Sequence, residues 1–201
     1  MTKKYLTTLN TRPFLYRETK LIAELIDQGM SDEEIKEKVI DENIFQVKSV
    51  DRRKRFYSEI KKRLDELDEY LLEKLLNSDT STSKAISLYA IIKKDTLFYE
   101  WMREVVWDKI LTLDYNLTKY DTEKFFLNKE EQSKQIASWK RITKEYLIDA
   151  YHQTLVEAEL AVRKDSDLLL HLPIISSQVE QYLRSEKEKH IVEVLLGEVI
   201  Q

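Results

Sequence analysis

A chain of 201 residues that is 42% apolar and 35% charged can bury a sizeable core beneath solvated faces of mixed sign. With two glycines and two prolines it excludes turn-rich all-β folds and glycine-rich phosphate loops, and with no cysteine it excludes disulfides, thiolate nucleophiles and cysteine-held metals. The formal net charge of −4 means that any grip on nucleic acid has to come from local clusters of charge.

A helical pattern starts at Leu15, with Leu21, Ile22, Leu25 and Ile26 on one stripe and Gly29 as its stop. Ser31 followed by Glu34 is a capping box, opening a short helix with Ile35, Val39 and Ile40 inward. A connector over residues 42–48 leads to Ser49, the expected N-cap of a third helix carrying Tyr57, Ile60, Leu64 and Leu67 on one face. Helix, tight turn, capped helix, connector and basic helix together make a helix-turn-helix-like unit.

A helix over residues 70–76 precedes the polar run 77–83, read as the clearest linker. Helices follow over residues 84–94 and 96–113, with Ile86, Tyr89, Ala90 and Ile92, then Leu97, Trp101, Val105 and Ile110, inward. From Asn116 the texture changes. Asp121 is the expected cap of a helix with Phe125 and Phe126, residues 133–139 form a short helix, and a longer helix runs from Lys140. Apolar runs flank residues 163–167, the pattern of a small wing hairpin; the alternative is a helix running on through Val162, then a turn. A single helix over residues 177–196 ends the chain. The expected fold is mainly α, with helix-turn-helix-like units and a small C-terminal wing hairpin. Two units are expected: a helical domain over residues 1–115 and a winged-helix-like domain over residues 116–201.

The longest nearly apolar stretch, residues 168–175, is interrupted by His171 and Pro173 and is far shorter than the ~20 residues that span a bilayer. The first six residues hold no signal-type apolar core. A cytoplasmic protein without membrane contact is expected.

Residues 48–63 carry Lys48, Arg52, Arg53, Lys54, Arg55, Lys61, Lys62 and Arg63 against Asp51 and Glu59. Helical spacing sets Arg52, Arg55 and Lys62 away from Tyr57, Ile60 and Leu64. Arginine's planar fork suits phosphate oxygens and guanine edges, and Ser49 at the helix N-terminus can donate to a phosphate. The competing reading is a solvated face paired with neighbouring acidic helices. A second cluster holds Lys134, Ser138, Lys140, Arg141 and Lys144 around Trp139, with Ser138 opening a recognition-like helix and Arg163 and Lys164 at the tip of the wing. Its competing reading is again ordinary surface.

Catalytic constellations are poor. His152, His171 and His190 are isolated, and no glycine-flanked nucleophile turn occurs. Asp32, Glu33 and Glu34 suit a helix first turn, and Asp65, Glu66, Asp68 and Glu69 suit a solvated face. No enzyme activity, cofactor or metal is expected.

Several positions together resemble the BrxA family of bacterial BREX phage-defence systems. They are Arg17, Glu18 and Thr19 with Leu21 to Leu25, residues 29–35, Glu42 and Asn43 with Ser49, Arg63 and Leu64, and residues 98–106 with Trp101, Glu104 and Val105. These are diffuse similarities over most of the length, not a catalytic signature. The resemblance implies a small helical DNA-binding accessory protein that works beside other BREX proteins, here expected as a monomer. It also implies a likeness to the antitermination factor NusB, which binds RNA. A protein–protein adaptor is the further alternative.

Overall fold

The computed structural model describes residues 4–200. The first three helices follow local signals. Helix α1 (Tyr16–Asp27) starts from Leu15 in the left-handed region and ends at Gly29, φ 79°. There Gly29 N–H donates to Ile26 O at 2.9 Å and Met30 N–H to Leu25 O at 3.1 Å, closing the last turn. Helix α2 (Asp32–Ile40) opens with the expected box: Ser31 N–H donates to Glu34 at 2.8 Å, and Glu34 N–H to the Ser31 hydroxyl at 3.3 Å. Helix α3 (Val50–Leu64) is capped by Ser49, which accepts from Arg52 N–H.

The polar run 77–83 is not a linker. Helix α4 (Glu69–Asn77) and helix α5 (Thr80–Lys94) are separated by Ser78 and Asp79 alone. Asp79 caps α5 through Thr82 N–H at 3.0 Å, Ser83 donates to Leu75 O, and Thr82 Oγ1 accepts from Ser176 N–H at 2.9 Å. Side chains that mark a loop in isolation here close one helix and open the next. Helix α5 is buried nearly all round, the mark of a central helix, and packs against α3, α4 and the last helix of the chain.

Helix α6 (Thr96–Trp101), a π-helical stretch (Met102–Trp107) and α7 (Asp108–Leu111) run on as one rod, capped by Asp95. Strand β1 (Asn116–Leu117) follows, then α8 (Lys119–Gln132), α9 (Lys134–Ala137) and α10 (Arg141–Glu157). The cap of α8 is Thr118, not Asp121. Asp121 sits three residues later and accepts from Thr118 N–H at 2.8 Å, the second half of a capping box.

The hairpin is present. Strands β2 (Ala161–Lys164) and β3 (Asp167–Leu170) pair antiparallel with Ala161 opposite Leu170 and Lys164 opposite Asp167. Its turn is Asp165 and Ser166, with Asp165 at φ 54°. Strand β1 adds to the other edge of β3, giving the order β1-β3-β2.

The last helix is two: α11 (Ser177–Ser185) and α12 (Lys189–Leu196). Val179 and Leu183 are buried in α11, and the apolar stripe resumes only at Ile191. The charged residues between them leave no inward position to continue one straight helix, and the break turns α12 onto α5.

One buried cluster runs from Leu9 to Leu196. At its centre Phe98 meets Tyr151 edge-on with ring centroids 5.0 Å apart, Trp101 lies against Tyr151, and Trp101 Nε1–H donates to Thr122 at 3.2 Å. Among the described residues no helix is long and apolar enough to cross a membrane.

Candidate nucleic-acid interface

The first basic cluster divides into two faces of α3. Arg52, Lys54, Arg55 and Lys62 are exposed and have no carboxylate partner among the described residues; Lys48 and Ser49 are exposed at the helix start. Arg52 lies over the Phe56 ring at 5.0 Å, and Arg55 Nε–H donates to Asp51 O at 3.3 Å, so both forks are steered by their own helix. The hydroxyl oxygen of Ser49 serves as the N-cap of α3.

Arg53 is a correction. It is buried, and its guanidinium donates to Ile40 O, a terminal carbonyl of α2. Its position was legible: Arg53 shares the stripe of Tyr57, Ile60 and Leu64. Arg63 is also buried, at 3.2 Å from Glu59, and donates to the carbonyls of Arg12, Pro13 and Phe14 at 2.6–2.9 Å. Burial pulls its pKa down, opposed by Glu59.

Those three carbonyls belong to an N-terminal strap, residues 5–14, that the sequence did not reveal. Tyr5 exchanges two main-chain bonds with the Gln135 side chain, at 3.1 and 2.8 Å. The single turn Thr8–Asn10 packs on α10, and Leu9 is buried. The strap therefore lies between α3 and α10.

Clefts open on both sides of it. One, of about 320 Å³, has Thr8 and Arg12 of the strap facing Lys54, Arg55, Ser58 and Lys62 of α3. The next, about 380 Å³, holds Arg12, Arg52 and Arg55 around Asn10 and Pro13. The third, about 500 Å³ and across the strap, shares Asn10 and Pro13 and is lined by Lys119, Tyr146, Asp149 and Arg163. A basic surface thus runs from Lys62 to Arg55 and Arg52, and Arg163 lies beyond the strap. Arg12 lines two of these clefts and carries no local sequence signal, because the strap's course is set by Arg63 from far along the chain; Lys94, at the end of α5, lines the first cleft but is paired with Glu59.

The second cluster is only partly paired: two of its cations, Lys144 and Arg141, meet carboxylates. Lys144 is 2.6 Å from Glu130 and little exposed, and Arg141 is 2.7 Å from Glu145, although its side chain is 92% exposed. Arg163 donates to Gln153 at 2.6 Å. Lys134, Lys140 and Lys164 are exposed. Ser138 does not open α10. It follows the last residue of α9 and donates to Gln135 O at 2.7 Å, while α10 begins at Arg141 after Lys140. Farther along α10, Asp149 pairs with Lys119 at 2.7 Å.

His152 is buried with Nε2 at 2.8 Å from the Thr122 hydroxyl, and burial holds its pKa down at about 4. It is a neutral core imidazole at physiological pH. Among the described residues no three His, Cys, Asp or Glu side chains are placed to hold a metal.

Comparison with known proteins gives the family and supports the fold. The family model described as BrxA matches residues 3–187. The chain belongs to the BrxA family. A BREX protein BrxA from Bacillus cereus (strain H3081.97) is 36% identical over 194 residues, covering 96% of this chain and 97% of that protein. A second BREX protein BrxA, from Paramagnetospirillum magneticum (strain ATCC 700264 / AMB-1), is 23% identical over 175 residues, 87% of each chain. A crystal structure of an uncharacterized protein from Magnetospirillum magneticum superposes with a TM-score of 0.83, covering 97% of this chain and all of that one at 22% identity. At that identity the likeness speaks for the fold, and this BrxA-family chain shares its helical architecture over nearly the whole length.

Proposed function

We propose that this BrxA-family chain is a non-catalytic accessory protein of a BREX phage-exclusion system that binds double-stranded DNA chiefly through α3. The observation that carries the reading is the set Arg52, Lys54, Arg55 and Lys62: four exposed cations with no carboxylate partner among the described residues, on a helix whose capped N-terminus is also exposed. Surface cations already paired with acids gain little from a phosphate, whereas unpaired ones release counterions on binding. That contrast favours α3 over α10, where Arg141 and Lys144 are engaged and Asp149 places negative charge on the helix. The phosphate backbone would supply most of the affinity, so sequence preference would be weak.

The test is a fluorescence-anisotropy titration with duplex DNA and RNA of matched sequence at two salt concentrations. An Arg52→Ala/Arg55→Ala/Lys62→Ala variant is expected to lose duplex binding, and a Lys140→Ala/Arg141→Ala/Lys144→Ala variant to keep most of it. The wild-type affinity should fall log-linearly with salt, by about 0.9 per phosphate contact. Tighter binding to the RNA would replace DNA as ligand. No binding at low salt would refute the reading.

A second reading, a protein–protein adaptor within the defence complex, is favoured by a different surface. Leu172 and Ile110 both reach Gly197, and beside them Leu111, Leu113, Ile174 and Val199 are exposed.

A further inference from the structure

We propose that the cleft between the N-terminal strap and α3 is a phosphate-binding site in which Arg12 is the central donor. The inference deepens the DNA-binding reading and rests on it only for the source of the phosphate.

The first observation is a charged donor that the fold leaves unused. Arg12 Nη1 is buried and has no hydrogen-bond acceptor, although the main-chain carbonyl of the same residue is held by Arg63. A guanidinium stays protonated under any folding condition, so an unaccepted, buried N–H of this group carries a desolvation cost that an anion would relieve. The second observation is the charge around it. Arg12, Lys54, Arg55, Lys62 and Lys94 line the cleft against a single carboxylate, Glu59. Glu59 is already committed, to Arg63 at 3.2 Å and to Lys94 at 2.6 Å. Among the described residues it makes no bond to Arg12, and nothing else lining the cleft is negative.

The third observation is shape. The cleft, about 320 Å³, has room for a phosphate group with its substituents, and the hydroxyls of Thr8 and Ser58 add neutral donors to the cationic ones. Arg12 and Arg55 also line the neighbouring cleft with Arg52. One pair of guanidiniums therefore stands between two adjoining pockets, an arrangement suited to successive phosphates of one strand. A phosphodiester and a free phosphate present the same oxygens to these donors, and the source is what the experiment has to separate.

The variant is Arg12→Gln, which removes the charge and leaves the main-chain carbonyl that Arg63 holds. Two readouts are taken after a thermal melt confirms folding: duplex-DNA affinity across a salt series, and the melting temperature in inorganic phosphate against chloride of equal ionic strength. The expected result is a salt slope reduced by about 0.9, one phosphate contact, together with loss of the phosphate-dependent rise in melting temperature seen for wild type. If wild type binds no duplex at low salt yet shows an Arg12-dependent phosphate rise, the site stands with a free phosphate-bearing ligand and the DNA reading falls. If folded Arg12→Gln keeps both the wild-type slope and the phosphate response while Arg52→Ala loses duplex binding, the site is refuted and the DNA reading survives. Should Arg12→Gln melt below the assay temperature, Arg55→Gln, exposed and held by one main-chain bond, takes its place and is read by the phosphate response alone, because Arg55 also belongs to the α3 duplex-binding set: loss of the response supports the site, and a wild-type response refutes it.

Discussion

Adjacent residues on a helix point roughly 100° apart, and on α3 that separates Arg52, in solvent over Phe56, from Arg53, buried against Ile40 O. The two arginines should therefore fail differently. Arg53→Ala leaves a helix-end carbonyl without its donor and opens a void, a loss on the order of 1–3 kcal/mol, with affinity for duplex unchanged below the melting temperature. Arg52→Ala should leave stability within about 0.5 kcal/mol and weaken duplex binding. Paired melts and titrations of the two variants check this, and a destabilised Arg52→Ala would show that its stacking is structural.

Two buried titratable groups make a second prediction at this scale. Burial raises Asp95 from 3.8 to about 6, although it accepts from Leu97 and Phe98 N–H, and lowers His152 from 6.5 to about 4. A raised carboxyl contributes stability that is present below its unfolded value and lost as pH rises through about 6. A depressed imidazole contributes stability that is present above 6.5 and lost as pH falls through about 4. Each linkage is on the order of 3 kcal/mol, and between pH 4 and 6 the two slopes oppose each other. Asp95→Asn should accordingly be more acid-sensitive than wild type over this window, and His152→Gln less. Denaturant unfolding at several pH values measures both slopes; parallel curves for all three proteins would rule the linkage out.

At the scale of elements, what the sequence made legible was whatever a few neighbouring residues decide. Gly29 stops α1, Ser31 with Glu34 opens α2, Ser49 opens α3, and the turn at Asp165 and Ser166 joins β2 to β3. What escaped depends on distant partners. The polar run around Asp79 reads as a loop until Ser176 and Leu75 supply bonds to Thr82 and Ser83. Arg12 acquires a role only through a strap whose course is set by Arg63, some fifty residues on. The break between α11 and α12 lay in the stripe itself, which skips from Leu183 to Ile191. If Asp79 is a true cap, Asp79→Ala should cost about 0.5–2 kcal/mol, and amide exchange should speed up first at Thr82. Faster exchange spread evenly along α5 would point to lost packing instead.

For the whole molecule, the question is whether residues before and after position 115 unfold as one body. Four contacts, among others, join them. Phe98 and Trp101 pack on Tyr151 in the centre, Trp101 bonds Thr122, and the strap lies against α10 while α12 returns to cover α5. The return of α12 matters most for cooperativity, because a C-terminal element supplies part of the wall of the N-terminal helices' core. Neither half can be exposed without uncovering apolar surface of the other, and that surface is what drives folding. The expected outcome is a single calorimetric transition with equal calorimetric and van't Hoff enthalpies. Phe98→Ala, costing about 3–5 kcal/mol, should lower the unfolding midpoints reported from α2 and from β3 by the same amount. Two transitions, or a Phe98→Ala shift confined to α2, would mean that the halves are thermodynamically separate and that the strap joins two bodies able to move on a bound duplex.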